Sequence, residues 1–296
     1  MSADTVTRTI AAAPAAKRAA RPRMRWGSET IAGAIIVGGL IAVALLAPVL
    51  APASPTAGDI GRRLFDVGTN GNILGTDGQG RDILTRLIWG ARPALIGGIT
   101  PVLIAGVIGT ALGMIAGLAP RIGRSAIMRT LDVLYAFPAI LLAVAIGAAL
   151  GPGVVNSIVS LAVVLIAPIA RVAEAEVLRV RSADFIDVAR ASGASRALIA
   201  IRQVLPNIAP TLIVYGTSLI GLAIVYSAGL SFLGLGVTPP EPDWGQMLND
   251  LRQFIYDRPL LSLVPAAAIL LASIGFNLLG DGLKRRLEVR DGEALL

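Results

Sequence analysis

The sequence contains no histidine and no cysteine, and it has few charged residues. Of its 296 residues, 55% are apolar and 15% are charged, whereas soluble domains carry about 25% charged residues. The two missing residue types exclude imidazole bases, Ser-His-Asp and Cys-His nucleophiles, disulfides and the usual zinc ligand sets. A mean hydropathy of +0.75 also excludes a chain that is disordered as a whole, because so apolar a chain does not stay solvated. The placement of the few charges decides between a soluble core and a membrane protein.

Five long stretches of the chain contain no charged residue. They are 30–58, 93–120, 133–170, 203–240 and 259–280. A helix needs about 20 apolar residues to cross a bilayer, and each stretch is long enough to do so. Five uninterrupted stretches of this length are not expected of a soluble core. The sequence therefore predicts an integral membrane protein.

The third stretch is too long for one span, and Gly151-Pro152-Gly153 divides it. Glycine is conformationally free and proline lacks a backbone donor, so this tripeptide predicts a tight turn between two helices. The chain is thus predicted to be all-α and polytopic, with six transmembrane helices at about 30–50, 94–118, 133–150, 154–170, 210–229 and 261–280. The remaining segments are predicted as a basic disordered tail (1–29), an external segment (51–93), a five-span core (94–283) that contains the loop 171–209, and a second tail (284–296).

Lys and Arg residues are distributed unequally between the two sides of this arrangement. Six lie in 1–29, three in 119–132, six in 171–209 and four after residue 280, whereas seven lie in 51–93 and 230–260. Short cytoplasmic loops carry an excess of Lys and Arg. Both termini are therefore predicted to be cytoplasmic. The net charge of +7 reflects this topology, and no nucleic-acid partner is inferred from it.

The loop 171–209 is the most informative cytoplasmic segment. Residues 183–192 have helical propensity, with Phe185, Val188, Ala189 and Ser192 on one stripe. Gly193 stands where a helix C-cap glycine is expected. A second helix is predicted from Ser195 to Val204, with Leu198, Ile201 and Leu205 on one face, and Leu205-Pro206 is expected to end it. Two short amphipathic helices either dock into a partner's groove or lie on the membrane surface, and both alternatives stay open.

Other features of the spans have a structural interpretation. Gly109, Gly113 and Gly117 lie on one helix face and predict close helix packing. Asp132 is interpreted as an interfacial cap. Polar side chains within the spans either line an aqueous pathway or bond between helices. No carboxylate lies centrally in a span, which argues against a proton- or sodium-coupled carrier.

A glycine-rich stretch precedes the second predicted span. It contains Gly75, Thr76, Asp77, Gly80, Arg81 and Asp82. The stretch lacks the G-x-x-x-x-G-K-[ST] pattern of a phosphate-binding loop, so no nucleotide site is expected here. An ordinary turn capped by Asp77 and Asp82 is the simpler interpretation.

Two sets of residues resemble motifs of one known family. The cytoplasmic set resembles the "EAA…G…LP" loop of the inner-membrane subunits of ABC importers, with Asp187 in place of the glutamate; it comprises Asp187, Val188, Ala189, Gly193, Leu205 and Pro206. The stretches 74–92, 131–138, 229–245 and 277–283 resemble motifs of the second, C-type permease subunit of dipeptide, oligopeptide and nickel importers. Together they cover about residues 70–290.

The resemblance implies a MetI-like transmembrane domain that forms half of a translocation pathway for di- or oligopeptides. It implies a non-catalytic chain in the inner membrane that couples to ATPase subunits through residues 184–206. The implied partners are a homologous permease subunit, two ABC ATPase subunits, an external substrate-binding protein and membrane lipid. No cofactor is expected in this chain, and ATP and magnesium are expected in the ATPase subunits.

Other functions remain as alternatives. Nickel chelates, glutathione, opines and oligosaccharides are alternative substrates within the same class. A secondary carrier, or a membrane scaffold or insertase that uses the two cytoplasmic helices for assembly, are alternatives from different classes.

Overall fold

The computed structural model describes residues 27–51 and 53–293. The predicted tail 1–29 lies outside the described residues except for its last three positions, and residues 294–296 of the second tail also lie outside them. The described residues form helices and turns, with no β-strand among them. The helices are α1 (Ser28–Leu50), α2 (Ile83–Leu118), α3 (Arg121–Tyr135), α4 (Ala139–Leu150), α5 (Val154–Val180), α6 (Asp184–Ala191), α7 (Arg196–Ile199), α8 (Leu205–Phe232), α9 (Trp244–Leu251) and α10 (Pro259–Glu293).

Up to six segments of the described chain are long and apolar enough to cross a membrane. Five are continuous: α1, α2, α5, the run from α7 through α8, and α10. The sixth is the pair α3 and α4, which bends by 84° at its break. The count agrees with the six predicted spans, and the turn predicted at Gly151-Pro152-Gly153 is confirmed between α4 and α5.

The bend between α3 and α4 was not expected from the apolar run 133–150. Pro138 immediately precedes α4; it lacks an N–H group and disfavours helical backbone at the residue before it. The helix therefore breaks at residues 136–138.

The region 121–132, which was expected to be a loop, is helical in α3.

The expected stop at Leu205-Pro206 is wrong. A π-helical stretch, Ala200–Val204, leads directly into α8, so the residues around Pro206 and Pro210 are helical rather than a loop. Pro206 therefore lies within one continuous helical run, just after its π-helical stretch, and does not end it.

The three glycines of α2 bring its backbone against α5. A Cβ atom on Gly113 would lie 2.5 Å from the Ala170 carbonyl oxygen and 2.6 Å from the Ala173 Cβ. One on Gly109 would lie 2.9 Å from the Ile166 carbonyl oxygen. The predicted close packing is therefore confirmed, and it occurs within this chain.

Helix α1 is attached to the bundle at a carbonyl group that a proline leaves free. Pro48 cannot donate to the Ala44 carbonyl oxygen four residues earlier. Arg92 of α2 donates from Nε to that oxygen at 2.6 Å, and its guanidinium carbon lies 4.7 Å from the Trp89 ring centroid. The Trp89 indole N–H in turn donates to the Ala51 carbonyl oxygen at 3.0 Å. These bonds hold the end of α1 against the start of α2.

We predict that Gly113→Ala destabilises the chain. The new methyl group would collide with the α5 backbone, and overpacking of this kind costs about 1–3 kcal/mol. Thermal unfolding of the full chain in a mild detergent measures the effect.

Gly106→Ala is the matched control on the same helix. A Cβ atom on Gly106 meets no atom within 4 Å, and alanine is favoured over glycine in helices by about 1 kcal/mol. The control is therefore expected to unfold at the same or a higher temperature. Equal destabilisation by the two substitutions would contradict the role assigned to the α2–α5 contact.

Candidate functional site

The glycine-rich stretch 75–82 folds into a turn around the Asp77 carboxylate. Its Oδ1 accepts hydrogen bonds from the backbone N–H groups of Gln79 at 2.8 Å and Arg81 at 3.0 Å. Its Oδ2 accepts from Arg81 Nε at 2.6 Å. Arg81 then reaches Asp250 at the other end of the chain, with Nη2 donating to Oδ2 at 3.1 Å. Asp77 thus closes the turn, as expected, and also anchors it to α9.

A second arginine, Arg86 in the first turns of α2, joins the same cluster. Its Nε lies 3.7 Å from Asp77 Oδ2, and its Nη1 donates to the carbonyl oxygens of Pro55 at 3.0 Å and Pro240 at 3.1 Å. The residue is 1% exposed. Arg86 therefore connects the external segment, α2 and the loop before α9.

The glycines and the capping residue of this stretch have well-defined structural roles. Gly75 and Gly80 have positive φ angles of 79° and 72°, which L side chains rarely adopt. A Cβ atom on Gly80 would also lie 1.8 Å from the Asp59 carbonyl oxygen. Asp82 is the N-cap of α2 and accepts from Thr85 N at 2.7 Å. Asp82 therefore caps the helix that follows the turn rather than the turn itself.

The short helix α9 is fixed to the same cluster from the opposite side. Asp243 caps α9 by accepting from Gln246 N at 3.0 Å. Burial raises the pKa of Asp243, and hydrogen bonds from Gln246, Ser231 and Gly245 oppose this increase. The Trp244 indole N–H donates to the Leu87 carbonyl oxygen of α2 at 2.8 Å.

We call the cluster formed by Asp77, Arg81, Arg86 and Asp250 the clamp. The motif residues Thr76, Asp77 and Arg81 are at most 3% exposed, so they hold the segment together and do not present a binding surface. Sequence reasoning missed Arg86, Asp243 and Asp250. The available signal was the presence of acids and arginines on the same predicted side, but sequence alone does not pair residues so far apart along the chain.

At the opposite end of the bundle, α6 and α7 form a two-helix unit that we call the knob (184–204). Gly193 ends α6 with a φ of 79°. Its N–H donates to the Arg190 carbonyl oxygen at 3.0 Å, and the Ala194 N–H donates to the Ala189 carbonyl oxygen at 3.1 Å. These two bonds form a Schellman motif. The C-terminal glycine position expected for Gly193 is confirmed.

The packed side of the knob differs from the predicted stripes. Ile186, Ile199 and Val204 are buried against Val177 and Ile208 of the flanking helices. Phe185 and Val188 of the first predicted stripe, and Leu198 and Ile201 of the second predicted face, are exposed instead. Burial divides the first stripe: Phe185 and Val188 are exposed, whereas Ala189 packs partly buried beside Ile186 against the bundle.

The exposed side of the knob therefore carries apolar side chains among charged ones. Val188 is 65% exposed and Ile201 is 63% exposed. Asp187, between Ile186 and Val188, is also exposed and pairs with Arg190 at 2.9 Å. Exposed apolar groups at this end suit contact with another surface.

The knob is firmly attached to the spans. Arg181, just after α5, donates from Nη1 to the Gly117 carbonyl oxygen of α2 at 2.9 Å. Leu205 and Pro206, the last two motif residues, lie at the start of α8, where Leu205 packs partly buried against the knob's apolar core. The cytoplasmic motif residues thus lie on one continuous unit from α6 to α8.

The interfacial-cap interpretation of Asp132 is wrong. Asp132 lies within α3 rather than at its start, and its carboxylate pairs with Arg171 of α5.

Polar residues within the spans have local partners as well. Thr217 Oγ1 donates to the Ile213 carbonyl oxygen at 2.8 Å, and Asn277 Nδ2 donates to the Ser273 carbonyl oxygen at 2.9 Å.

An apolar groove of about 550 Å³ lies between α2 and α8. Leu103 and Val107 of α2 and Ile213 of α8 line it and are each more than 60% exposed. Gly106 and Gly216 also line the groove and have no side chain that would fill it. The groove is a long apolar surface that no other described part of the chain covers.

The chain belongs to the family of binding-protein-dependent transport system inner membrane components, which its residues 109–290 match. It is therefore a permease of a binding-protein-dependent importer. The fold, the apolar helices and the family all indicate a protein of the inner membrane.

Two relatives align over most of the chain. The dipeptide transport system permease protein DppC of Alkalihalophilus pseudofirmus is 39% identical over 271 residues, which cover 92% of this chain and 89% of that protein. The glutathione transport system permease protein GsiD of Pectobacterium atrosepticum is 39% identical over 258 residues, which cover 87% of this chain and 86% of that protein.

A solved structure shares the fold. A chain of the MetNI methionine ABC transporter, in an inward-facing conformation, superposes with a TM-score of 0.56 at 22% identity. The match covers 69% of this chain and 97% of that chain. The MetI-like transmembrane fold expected from the sequence is confirmed.

We predict that Asp77→Asn destabilises the clamp. The amide keeps the shape of the side chain but removes the charge that faces both Arg81 and Arg86. Breaking a buried ion pair on one side costs about 3–5 kcal/mol, so the variant should unfold at a lower temperature and the segment 53–82 should become protease-sensitive.

Asp66→Asn is the matched control in the same segment. The Asp66 carboxylate pairs with Arg258 but is 74% exposed, and exposed pairs contribute about 0–1 kcal/mol. Thermal unfolding and limited proteolysis of both variants compare the two positions. If the clamp does not stabilise the fold, the two variants should unfold at the same temperature and should be cleaved equally by protease.

Proposed function

We propose that the chain forms half of the pathway of an ATP-driven importer for di- or oligopeptides. Membership of the permease family supports the transport role, and the exposure of apolar side chains on the knob is the observation that supports coupling to a partner. Asp187, Val188, Ala189 and Gly193 would contact an ATP-hydrolysing subunit, and Leu205 and Pro206 would connect that contact to α8.

The proposed coupling is mechanical. Closure of two ATPase subunits around ATP would move the knob, and the knob would move the ends of α5 and α8 that it packs against. The spans would then switch the pathway from inward-facing to outward-facing. ATP and magnesium would bind to the ATPase subunits, and this chain would contribute no catalytic residue.

The proposed partners also include a homologous permease subunit and an external substrate-binding protein. The groove between α2 and α8 supports a second permease subunit as a partner, because the helices of that subunit would cover the exposed apolar residues of the groove. The proposed topology places both termini and the knob in the cytoplasm, with the clamp on the opposite side, in agreement with the excess of Lys and Arg near the knob.

The relatives' names support a peptide substrate. One is a dipeptide permease and another is a glutathione permease, and glutathione is itself a tripeptide thiol. Nickel chelates, opines and oligosaccharides are alternative substrates of the same importer class.

We predict that Gly193→Val uncouples ATP hydrolysis from transport. Valine at a positive φ angle costs about 1–3 kcal/mol, so the Schellman motif would open and the angle between α6 and α7 would change. In vesicles reconstituted with the complete importer, uptake should fall several-fold, and stimulation of ATPase activity by the binding protein should be lost.

Gly151→Val is the matched control. Gly151 also has a positive φ angle, 86°, and a Cβ atom on either glycine would meet no atom within 4 Å. Gly151 lies in the turn between α4 and α5, away from the knob, so its substitution strains the backbone without touching the proposed contact. Unchanged uptake and stimulation in the Gly193 variant would refute the coupling proposal.

A second prediction concerns the substrate. ATP-dependent uptake of a labelled dipeptide should occur in the reconstituted vesicles and should be reduced by excess unlabelled di- and tripeptides. Stronger competition by glutathione than by ordinary peptides would assign the chain to glutathione import. Uptake driven by an ion gradient without ATPase subunits would contradict the proposed class.

A further inference from the structure

An arginine-rich cavity of about 340 Å³ lies between α3 and α5. It opens near the end of α2 that carries the knob, because α3 begins three residues after α2 ends. Its charged lining residues are Arg121, Arg124, Arg129, Asp132, Arg171 and Glu174. Four arginines against two carboxylates leave an excess of positive charge.

Two of these arginines are neutralised within the chain, and two are not. Arg124 pairs with Glu174, and Arg171 pairs with Asp132 and lies 5.3 Å from the Tyr135 ring centroid. Arg121 and Arg129 are exposed, and neither forms an ion pair or side-chain hydrogen bond with the side chains described, those of residues 27–51 and 53–287. The positive excess therefore resides on these two guanidinium groups.

The position of α3 relative to α4 places this cavity at a bilayer surface. Because the two helices meet at 84°, α3 lies close to the membrane plane when α4 runs along the membrane normal. Ile122 is 86% exposed and Val133 is 62% exposed, and both project from the side of α3 that also carries Arg129. A helix with exposed apolar and basic residues side by side is typical of a membrane interface.

We propose that the cavity binds the phosphate headgroup of an anionic phospholipid. The planar guanidinium groups of Arg121 and Arg129 would donate to the phosphate oxygens, and basic pockets between spanning helices are suited to such headgroups. Ile122 and Val133 would contact the acyl chains, which favours a lipid over a soluble phosphate compound. The proposal depends on the membrane location of the chain and not on the identity of its partners or its transported substrate.

The test uses the full chain, delipidated in a neutral detergent, with phosphatidylglycerol or phosphatidylcholine added. Native mass spectrometry measures the affinity for each lipid. The double variant Arg121→Gln/Arg129→Gln should bind phosphatidylglycerol roughly 10- to 30-fold more weakly, from a contribution of about 1 kcal/mol or less per arginine. Its weak binding of phosphatidylcholine should not change.

Arg62→Gln/Arg63→Gln is the matched control. Both of its arginines are exposed in the external segment, and the substitution removes the same charge, so phosphatidylglycerol affinity should be retained. A further variant, Arg121→Lys/Arg129→Lys, keeps the charge but not the planar donors, so it should bind phosphatidylglycerol more weakly than the native chain and more strongly than the glutamine variant. It also tests the cavity if the glutamine variant does not fold.

Three results would overturn the proposal. The first is unchanged phosphatidylglycerol affinity in the glutamine variant, or the same loss in the control. The second is loss of phosphatidylglycerol binding in the lysine variant equal to that in the glutamine variant. The third is displacement of the lipid by inorganic phosphate or glycerol phosphate at concentrations as low as those of the lipid, which would assign the cavity to a soluble phosphate compound.

Discussion

The contact between α2 and α5 is the constraint on which both ends of the protein depend. Helices in lipid gain little from burying apolar surface against one another, so close backbone approach supplies much of the attraction. Gly109, Gly113 and Gly117 permit that approach over two turns of α2. The same helix begins beside the clamp, where Asp82 caps it, and ends where the Gly117 carbonyl oxygen accepts from Arg181. The clamp and the knob are thus attached to opposite ends of one two-helix unit.

Arginine makes most of the polar connections at the ends of this unit. The chain has only two lysines, Lys17 and Lys284, and the remaining basic residues are arginines. A guanidinium group carries five donors in a fixed plane and serves several acceptors at once. Arg86 connects two carbonyl oxygens and a carboxylate, and Arg92 fills the acceptor that Pro48 leaves free. Such groups satisfy carbonyl oxygens that are otherwise left without a backbone donor.

Much of the fold could be predicted from where charges, glycines and prolines stand. The charge-free stretches predicted the spans, the glycine spacing predicted the α2–α5 face, and Gly151-Pro152-Gly153 predicted a turn. The bend at Pro138 and the continuous helix through Pro206 could not be predicted, because a proline in an apolar run either breaks the helix or is accommodated within it, and the run itself does not distinguish the two outcomes. The pairing of Arg81 with Asp250 likewise depends on tertiary contacts between distant parts of the chain.

The burial pattern of the knob bears directly on how it transmits movement. Ile186 and Ile199 are buried against Val177 of α5 and Ile208 of α8, and the shared core contains no exposed member. Close-packed side chains resist sliding past one another, so a displacement of the knob displaces the ends of both spans. The exposed side of the knob, in contrast, carries apolar side chains that have no partner within the described chain. One face of the knob is therefore fixed to the spans while the other is free to bind, which is the arrangement that mechanical coupling to a separate subunit requires.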